Sequence, residues 1–359
     1  MISIYFVGDI MLSRNIGNKI EKGEVNFLKP IKGILEKADI LCGNLESPIS
    51  DTMLEMREGF CAPAKSIEVI KDFCILNLAN NHIYDCGSRG IEDTLYILKK
   101  HNILSVGVGK TINEAYTPAI VELKGKKIAF IGCVTNEILC GIKNYDLKYY
   151  IATLGEQLDK TIENLRKNVN FIVILIHGGN EFISFAPPSL LSNLEKLISL
   201  GADLIITHHP HVLGGYKLIE KKRDKKLIWY SLGDFIFDSE IYRRRKTGIL
   251  TVKIDKYDKL SSFEFIPLYI NEKYQVERAD NILAKDILER IQDVSFLMSQ
   301  ENYARIYSKL YVREFLSFQK ERFETIYKRH GLIFLLKFIL KKFKHVFHYV
   351  KKFIERGYK

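Results

Sequence analysis

The feature that most constrains the fold of this chain is a pattern that occurs five times, in which a short apolar run ends in a side chain that can bind a metal ion. Such runs are typical of buried β-strands that lead into loops. The side chains at their ends are Asp9, Glu46, Asn81 with His82, His177, and His209 with His211. A single Asp or Asn after a strand is usually a turn former, but five occurrences exceed what turn preference explains. Because α/β folds bind ligands at the carboxyl ends of their strands, the pattern predicts that these side chains converge on one pocket.

The densest group of candidate ligands follows the apolar run at residues 204–206, where residues 207–211 are Thr-His-His-Pro-His. Imidazoles at a strand end are costly to desolvate without a partner, and neutral histidine is the commonest protein ligand of transition metals. Pro210 keeps the backbone extended, so that His209 and His211 cannot share a helical face and can each face a separate ion. The alternative is a polar loop at the edge of a sheet. The candidate ligands elsewhere in the chain favour the metal interpretation.

The chemical types of these side chains indicate what the pocket holds. Carboxylates, an amide and imidazoles form a mixed set of oxygen and nitrogen ligands, which suits two ions such as Mn, Fe or Zn. Two adjacent ions can polarise a phosphoryl or acyl oxygen and so support hydrolysis near neutral pH. A carboxylate that bridges the ions is required, and Glu46 is the best placed candidate.

Strand and helix patterns alternate through the first 270 residues, which predicts an α/β fold: a layered sandwich of two mixed β-sheets flanked by helices. A strand is predicted at residues 38–42, and a hairpin at residues 119–132. From about residue 280 the pattern is purely helical. We therefore predict a main domain at residues 1–275, a helical extension at 276–330 and a basic amphipathic C-terminal helix at 331–359.

Cysteine spacing and the amino terminus indicate where the protein works. The six cysteines include no CxxC pair, and several lie in apolar runs, so we expect mostly reduced core thiols in a reducing compartment and no disulfide scaffold. The chain starts directly with a strand-like run, and no segment approaches the ~20 apolar residues of a membrane-spanning helix. These features predict a cytoplasmic protein, with peripheral contact at the inner face of the membrane as an option.

The last 32 residues carry most of the net charge. Residues 328–359 contain ten Lys or Arg and one acidic residue, which gives this segment +9 of the net charge of +11. Its apolar residues recur at helical spacing, at Leu332, Leu336, Ile339, Phe343, Val346, Val350 and Phe353. A stripe of this kind with lysines on the other face is typical of helices at an anionic membrane surface. The alternatives are packing on the domain or on a second copy of the chain. Nucleic acid is not expected, because no recognised reader motif accompanies the charge.

Taken in order, the motifs resemble those of the CapA type of capsule and poly-gamma-glutamate biosynthesis proteins, within the calcineurin-like metallophosphoesterase superfamily. The resemblance covers roughly residues 1–270 and is specific as a set. The matching motifs are residues 8–14 (Gly-Asp-Ile-Met-Leu-Ser-Arg), 43–48 (Gly-Asn-Leu-Glu-Ser-Pro), 78–82 (Leu-Ala-Asn-Asn-His) with Asp85 and Gly87, 177–179 (His-Gly-Gly) with Glu181, 208–212 (His-His-Pro-His-Val) and 230–235 (Tyr-Ser-Leu-Gly-Asp-Phe).

The resemblance implies a role for each candidate ligand. Asp9 and His211 would bind the first ion, Glu46 would bridge, and the second ion would be bound by Asn81, His177 and His209. His82 would protonate the leaving group or steady the transition state, since an uncoordinated imidazole beside a ligand can act as a general acid. The alternative for His82 is a histidine packed under the loop.

Other residues near these motifs have supporting roles or depart from the family pattern. We expect Arg14 to bind an anionic substrate, unless it is solvated or salt-bridged. The side chains expected to orient the imidazoles are Asp85, Glu181 and His208, with a surface turn as the alternative for the two acids. Met11 occupies the position where the superfamily has the histidine of Asp-x-His, Glu46 replaces a more common Asp, and Asp234 replaces a frequent Asn. These departures leave open whether two ions bind or one.

The leading functional hypothesis is a dinuclear metal-dependent hydrolase of the phosphoesterase type. It would act on a phosphoester, or on an anionic envelope polymer or its precursor, in capsule or poly-gamma-glutamate biosynthesis. The rival hypothesis is a non-catalytic binding, assembly or export factor that uses the same fold to hold a polymer or a subunit of a synthase complex. In the rival case the metal would be structural or absent.

Overall fold

The structure of the chain is a computed structural model that describes residues 1–52, 60–139, 148–221 and 224–355. The chain forms two compact units, Met1–Leu310 and Tyr311–Lys359. The strands, in chain order, are β1 (Ile2–Ile10), β2 (Ile40–Leu45), β3 (Ile75–Asn77), β4 (Leu104–Val106), β5 (Val108–Gly109), β6 (Ala119–Leu123), β7 (Lys126–Val134), β8 (Tyr150–Ile151), β9 (Phe171–His177), β10 (Leu204–His208), β11 (Tyr216–Lys221), β12 (Asp224–Tyr230), β13 (Asp234–Ile236), β14 (Lys246–Ile254), β15 (Leu260–Ile270) and β16 (Val276–Arg278).

Helices connect these strands and cover the sheets. In chain order they are α1 (Arg14–Glu21), α2 (Lys32–Leu35), α3 (Ile67–Ile70), α4 (Gly87–Lys100), α5 (Ile112–Ala115), α6 (Asn136–Leu139), α7 (Glu156–Leu165), α8 (Pro188–Leu200), α9 (Tyr242–Arg245), α10 (Asn281–Met298) and α11 (Tyr303–Glu355), with 3₁₀ turns at Lys29–Ile31 and Ala64–Ser66.

The strands form two large mixed sheets, as the sequence predicts. The first has the order β16-β15-β14-β1-β2-β3-β4, with β13 paired to β1. Strands β1 to β4 are parallel, whereas β14, β15 and β16 are antiparallel. The second has the order β11-β12-β10-β9-β7-β6, with parallel strands at its centre and the predicted hairpin β6-β7 at one edge. A separate pair, β5 with β8, is antiparallel.

Both faces of the first sheet are buried, because the apolar residues of β1 point in both directions. Ile2, Ile4 and Phe6 join side chains of the second sheet in one core, which lies between the sheets. Tyr5 and Val7 point to a second core, shared with residues of α1 and α4. The result is the predicted layered sandwich flanked by helices. Its central strands are buried on both sides and therefore lack polar alternation.

One predicted strand differs in its bounds in a way that matters for the site. The strand predicted at residues 38–42 begins at Ile40 and continues to Leu45 as β2. Asn44 is therefore a buried strand residue and not part of a loop. The position tolerates an amide because Asn44 bonds to Asp9 and Asn77.

The expectation of reduced thiols is wrong for one pair of cysteines. Cys61 and Cys86 form a disulfide, with their Cα atoms 5.8 Å apart. They are 25 positions apart in the sequence, so no short spacing motif predicts that they pair. The expectation agrees with Cys42, Cys74 and Cys133, which are free, while Cys140 lies outside the described residues.

The second unit is helical, as predicted for the C-terminal part of the chain. Gly331 has φ 79° and ψ 174°, which interrupts α11 and divides it into two helical segments. Leu332 and Leu336 of the predicted apolar stripe are exposed, and the side chains of its later members lie outside the described part. None of the described helices combines the length and the apolar character needed to cross a membrane. The predicted boundaries after residues 275 and 330 stay predictions.

Candidate metal centre

The parallel strands of both sheets place the predicted ligands at one end of the sandwich. Asp9 lies near the end of β1 and pairs in register with Asn44 of β2, one residue before Leu45 ends that strand and two before Glu46. In the second sheet, His177 ends β9 and pairs with His208, which ends β10. The imidazoles and carboxylates of this cluster are nearly or fully buried, and they are Asp9, Glu46, His177, His208, His209, His211 and Asp234.

His211 is at the centre of the cluster. Its Nδ1 is 2.9 Å from Asp234 Oδ1 and 3.3 Å from Asp9 Oδ2. Its Nε2 is 3.4 Å from Glu46 Oε1. Two groups of three side chains, each with ligand atoms within 4.8 Å of one another, result: Asp9 with His211 and Asp234, and Glu46 with His209 and His211.

A second set of side chains adjoins Glu46 on the side of His177. The Nε2 atom of His177 is 2.8 Å from Asn81 Oδ1, 3.1 Å from His209 Nδ1 and 4.0 Å from Glu46 Oε1. Glu46 therefore lies between the Asp9 side and the His177 side of the cluster. The structure thus brings together all six side chains that were assigned to metal ions, and both their binding of metal and their division between ions stay predictions.

Burial sets the protonation of the imidazoles on the His177 side. Burial and the neighbouring His209 lower the pKa of His177 well below its ordinary value. Burial and the neighbouring His211 lower the pKa of His209 to about 4. Both imidazoles are therefore neutral near pH 7 and have a lone pair to offer, which is the form that binds metal.

The carboxylates and His211 show the opposite balance of forces. Burial raises the pKa of Glu46 well above its ordinary value, and the charges of Asp9 and Asp234 add to this. Burial acts to raise the pKa of Asp9, but the nearby imidazoles of His208 and His211 lower it by more, so that it lies well below its ordinary value. For His211, burial lowers the pKa, but the charges of Glu46 and Asp234 raise it well above its ordinary value. Negative charge is thus crowded around a single cationic imidazole.

The cluster fits a divalent metal. Both carboxylate oxygens of Glu46 are buried and have no hydrogen-bond partner, and the same holds for both ring nitrogens of His208. A buried carboxylate without a donor is costly, and cations that bind oxygen and nitrogen remove this cost. His208 lies with Nδ1 3.5 Å from Asp9 Oδ1, which is where a side chain that orients the ligand is expected.

His82 lies at the edge of the cluster and is not enclosed by it. Its Nδ1 is 2.8 Å from Asp85 Oδ2, and its side chain is 21% exposed. Since a carboxylate only accepts, Nδ1 carries a proton, and Nε2 is left 3.8 Å from Glu46 Oε1. Asp85 also accepts from the backbone N–H of Phe60, whose ring stacks on His82 at 4.0 Å. Asp85 therefore orients His82, with Nε2 directed towards Glu46.

Arg14 and Glu181 belong to neither group of candidate metal ligands. Arg14 forms an ion pair with Asp238, and its side chain is 41% exposed. Its guanidinium lies over the ring of Phe60, 4.5 Å from the centroid. Glu181 is exposed, and its charge acts to raise the pKa of His209. Arg14 therefore forms a salt bridge, as one of the two alternatives proposed, and its binding of an anionic substrate stays a prediction.

Three residues that the sequence interpretation did not assign contribute to the cluster. Asn44 Nδ2 is 2.8 Å from Asp9 Oδ1 and 3.3 Å from His177 Nδ1. Asn44 and Glu46 are two residues apart near the end of a strand, so their shared face was a usable signal. Asp234 was noted only as a departure, and Arg244, whose Nε donates to Asp234 Oδ2 at 2.8 Å, had no signal at all.

The turn that carries Asp234 approaches β1 through two glycines. Asp9 N–H donates to Gly233 O at 2.9 Å, and a Cβ added at Gly8 would lie 1.9 Å from the same oxygen. Gly233 has φ 72°, which favours glycine. These contacts set Asp234 beside Asp9. Met11 is fully buried with its sulfur 3.0 Å from Ser13 Oγ, so this position supplies no imidazole.

Comparisons with known proteins identify relatives. The model of the family described as bacterial capsule synthesis protein PGA_cap matches residues 3–239. The PGA biosynthesis protein CapA of Bacillus subtilis (strain 168) is 28% identical over 325 residues, which cover 84% of this chain and 81% of that protein. The capsule biosynthesis protein CapA of Bacillus anthracis is 24% identical over 287 residues, 76% of this chain and 68% of that protein. The calcineurin-like phosphoesterase YfkN from Bacillus subtilis aligns with a TM-score of 0.48 at 15% identity, over 81% of this chain and 96% of that chain.

Proposed function

This chain belongs to the bacterial capsule synthesis protein family PGA_cap, and from that premise we propose that it is a metal-dependent phosphoester hydrolase in the biosynthesis of an anionic envelope polymer. The family match confirms the resemblance to CapA-type proteins. The observation that carries the hydrolase proposal is the pair of buried Glu46 oxygens without donors, set among neutral imidazoles and further carboxylates. The proposed substrate class is a phosphoester precursor used in capsule or poly-gamma-glutamate biosynthesis.

The cluster divides into two sets of metal ligands. Asp9, His211 and Asp234 would hold one divalent ion, and Asn81, His177 and His209 another, with Glu46 shared. When bound, Mn, Fe or Zn would supply the Lewis acidity that phosphoester hydrolysis requires. The chain itself holds these side chains in place before any ion arrives, because the register of β1 with β2 and of β9 with β10 sets their spacing.

His82 is the proposed proton donor to the leaving group. Asp85 fixes its ring through Nδ1, so that Nε2 is directed towards Glu46. Phe60 stacks on one face of the ring, with the centroids 4.0 Å apart. To act as the donor, the ring must be in its imidazolium form, in which Nδ1–H donates to Asp85 and Nε2 carries a second proton. That Nε2 proton would pass to the departing oxygen and leave a neutral imidazole bonded to Asp85.

The test uses purified full-length protein with added Mn and a chromogenic phosphoester. The wild type is expected to cleave the ester, while Glu46→Ala and His209→Ala are expected to lose at least about two orders of magnitude in kcat/KM. His101→Ala serves as the control, because His101 follows α4 and belongs to neither ligand set. Equal activity of the wild type and of both ligand variants would remove the hydrolase proposal.

A non-catalytic binding, assembly or export factor is the second candidate function. The observation that favours it is Met11, because the superfamily pattern has a histidine at this position and the Asp9 side therefore has one imidazole fewer. Elemental analysis of untagged protein separates the two proposals. Fewer than about one ion per chain favours the accessory factor, and about two ions per chain favours the hydrolase.

A further inference from the structure

Two arginines, Arg14 and Arg244, and two phenylalanines, Phe182 and Phe237, form a row beside the candidate metal centre. The Cζ atom of Arg244 lies 4.5 Å from the centroid of Phe237, and that of Arg14 lies 5.3 Å from it. Phe237 packs edge-on against His211, with centroids 5.1 Å apart. The ring centroid of Phe182 lies 6.1 Å from the ring centroid of His211 and 5.4 Å from Cζ of Arg244. Positive charge is therefore held next to the ligands of the centre.

Arg244 is fixed in place but has hydrogen-bonding capacity left over. Its Nε donates to Asp234 Oδ2, while Asp234 Oδ1 is 2.9 Å from His211 Nδ1. Its Nη2 is buried and has no hydrogen-bond partner, and the side chain as a whole is 13% exposed. A buried cationic N–H without an acceptor is costly, so this atom fits an anionic oxygen brought by a ligand.

The arginine fits a phosphoryl group better than a lysine would. A guanidinium offers a planar fork of donors, so it can bind Asp234 with one edge and a ligand oxygen with another. A phosphomonoester has three non-bridging oxygens, whereas a diester has two. The monoester therefore has more oxygens to share between the centre and an adjacent guanidinium.

We infer that Arg244 binds a non-bridging oxygen of the substrate's phosphoryl group and thereby selects dianionic phosphomonoesters over phosphodiesters. This inference rests on the proposed function and deepens it. Arg14, paired with Asp238 and more exposed, lies at the outer end of the same row. The substrate class is a phosphomonoester whose phosphate enters beside Phe237.

The test compares Arg244→Gln, Arg244→Lys and the control Arg278→Gln in full-length Mn-loaded protein. Arg278 ends β16 and is exposed, so its substitution makes the same change of charge away from the centre. The Kd of inorganic phosphate is measured by calorimetry. KM and kcat are measured for p-nitrophenyl phosphate and bis(p-nitrophenyl) phosphate, and metal content is measured for each variant.

Arg244→Gln is expected to weaken phosphate binding by about 10-fold to 100-fold, because a hydrogen bond to a charged group is lost. KM for the monoester rises by a similar factor, kcat falls less, and the diester is affected by less than about threefold. Arg244→Lys recovers part of the phosphate affinity, and Arg278→Gln retains the wild-type Kd.

Three results would overturn the inference. One is a phosphate Kd in Arg244→Gln within twofold of the wild type at equal metal content. Another is a loss of affinity that disappears when the variant is saturated with metal, since Arg244 would then act only on Asp234. The third is a wild type that does not bind phosphate. If phosphate binds through Arg244 but neither ester is cleaved, the inference stands as an anion site and the hydrolase proposal fails.

Discussion

At the scale of single residues, the centre keeps its ligands in two different protonation states. His177 and His209 have lowered pKa values, which favours the neutral form that binds metal, whereas His211 and Glu46 have raised pKa values, which favours their protonated forms. All four side chains are buried: burial lowers the pKa values of the first pair and raises that of Glu46, whereas the charges of Glu46 and Asp234 outweigh burial at His211. Metal binding must therefore displace protons from one side of the cluster.

Metal affinity is expected to rise with pH across the neutral range. Below a raised pKa the protonated form predominates and competes with the metal, so affinity falls as pH falls, by about tenfold per pH unit for each proton displaced. Calorimetric titration with Mn at pH 6, 7 and 8, in buffers of different ionisation enthalpy, measures both the affinity and the protons released. A constant affinity with no proton release at pH 7 would show that His211 and Glu46 are already deprotonated.

At the scale of elements, the disulfide restrains the segment that contains His82. Cys61 and Cys86 enclose the residues between them, which include β3 and the turn with Asn81 and His82. A covalent link across 25 residues lowers the entropy of the unfolded chain. The link also holds the backbone next to Phe60, which stacks on His82.

Reduction of this disulfide is expected to lower the free energy of unfolding by about 3 kcal/mol. Urea unfolding of air-oxidised protein, with and without reductant, measures the difference. Cys86→Ala is expected to unfold like the reduced wild type and to be insensitive to reductant, whereas Cys74→Ser, which removes a free thiol, stays sensitive. Peptide mapping that finds Cys61 and Cys86 as separate thiols would contradict the assignment.

The C-terminal segment belongs to the same scale, and we propose that residues 331–359 bind an anionic membrane surface. Leu332, Ile333, Phe334 and Leu336 are each at least half exposed, which places apolar surface beside a strongly basic composition. Full-length protein is expected to float with vesicles of anionic lipid at low salt and to detach at high salt. A chain without residues 331–359 should stay unbound, and equal flotation of both chains would discard the lipid contact.

At the scale of the whole molecule, the centre joins the two sheets. Asp9 lies in the first sheet and Glu46 directly follows one of its strands, whereas His177 lies in the second sheet and His209 and His211 follow its strand β10. An ion bound by both sets would add a link between layers that already share an apolar core and polar contacts such as that of Asn44 with His177. Binding of the proposed ion would therefore stabilise the Met1–Leu310 unit.

Added Mn is expected to raise the Tm of the wild type by about 5 °C at roughly 100 times its Kd. Glu46→Ala is expected to show no such shift, because it removes the ligand shared by both sides of the cluster. Differential scanning fluorimetry with and without chelator measures both proteins. An identical shift in both would place the ion elsewhere, and no shift in the wild type would favour a metal-free accessory factor.

Much of the fold and the site could be predicted from local features of the sequence. Buried strands have a characteristic apolar run, and the residues that follow them have a chemistry that does not depend on coordinates, so the strand-end ligands such as Asp9 and His177 were identifiable. The α/β layering followed from the alternation of strand and helix patterns. The family followed from the order of the motifs.

Only the tertiary structure decided which distant side chains meet. Arg244 joins Asp234, which in turn meets His211 and Asp9, and no periodicity relates positions so far apart in the chain. The Cys61–Cys86 disulfide was missed for the same reason. The local pattern of apolar and polar residues indicates which residues are buried and which form strands or helices. The pairing of β1 with β13 and β14 depends instead on the packing of the whole core. The sequence alone therefore determined the chemical types of the ligands and the strand ends that carry them, and the packing determined their neighbours.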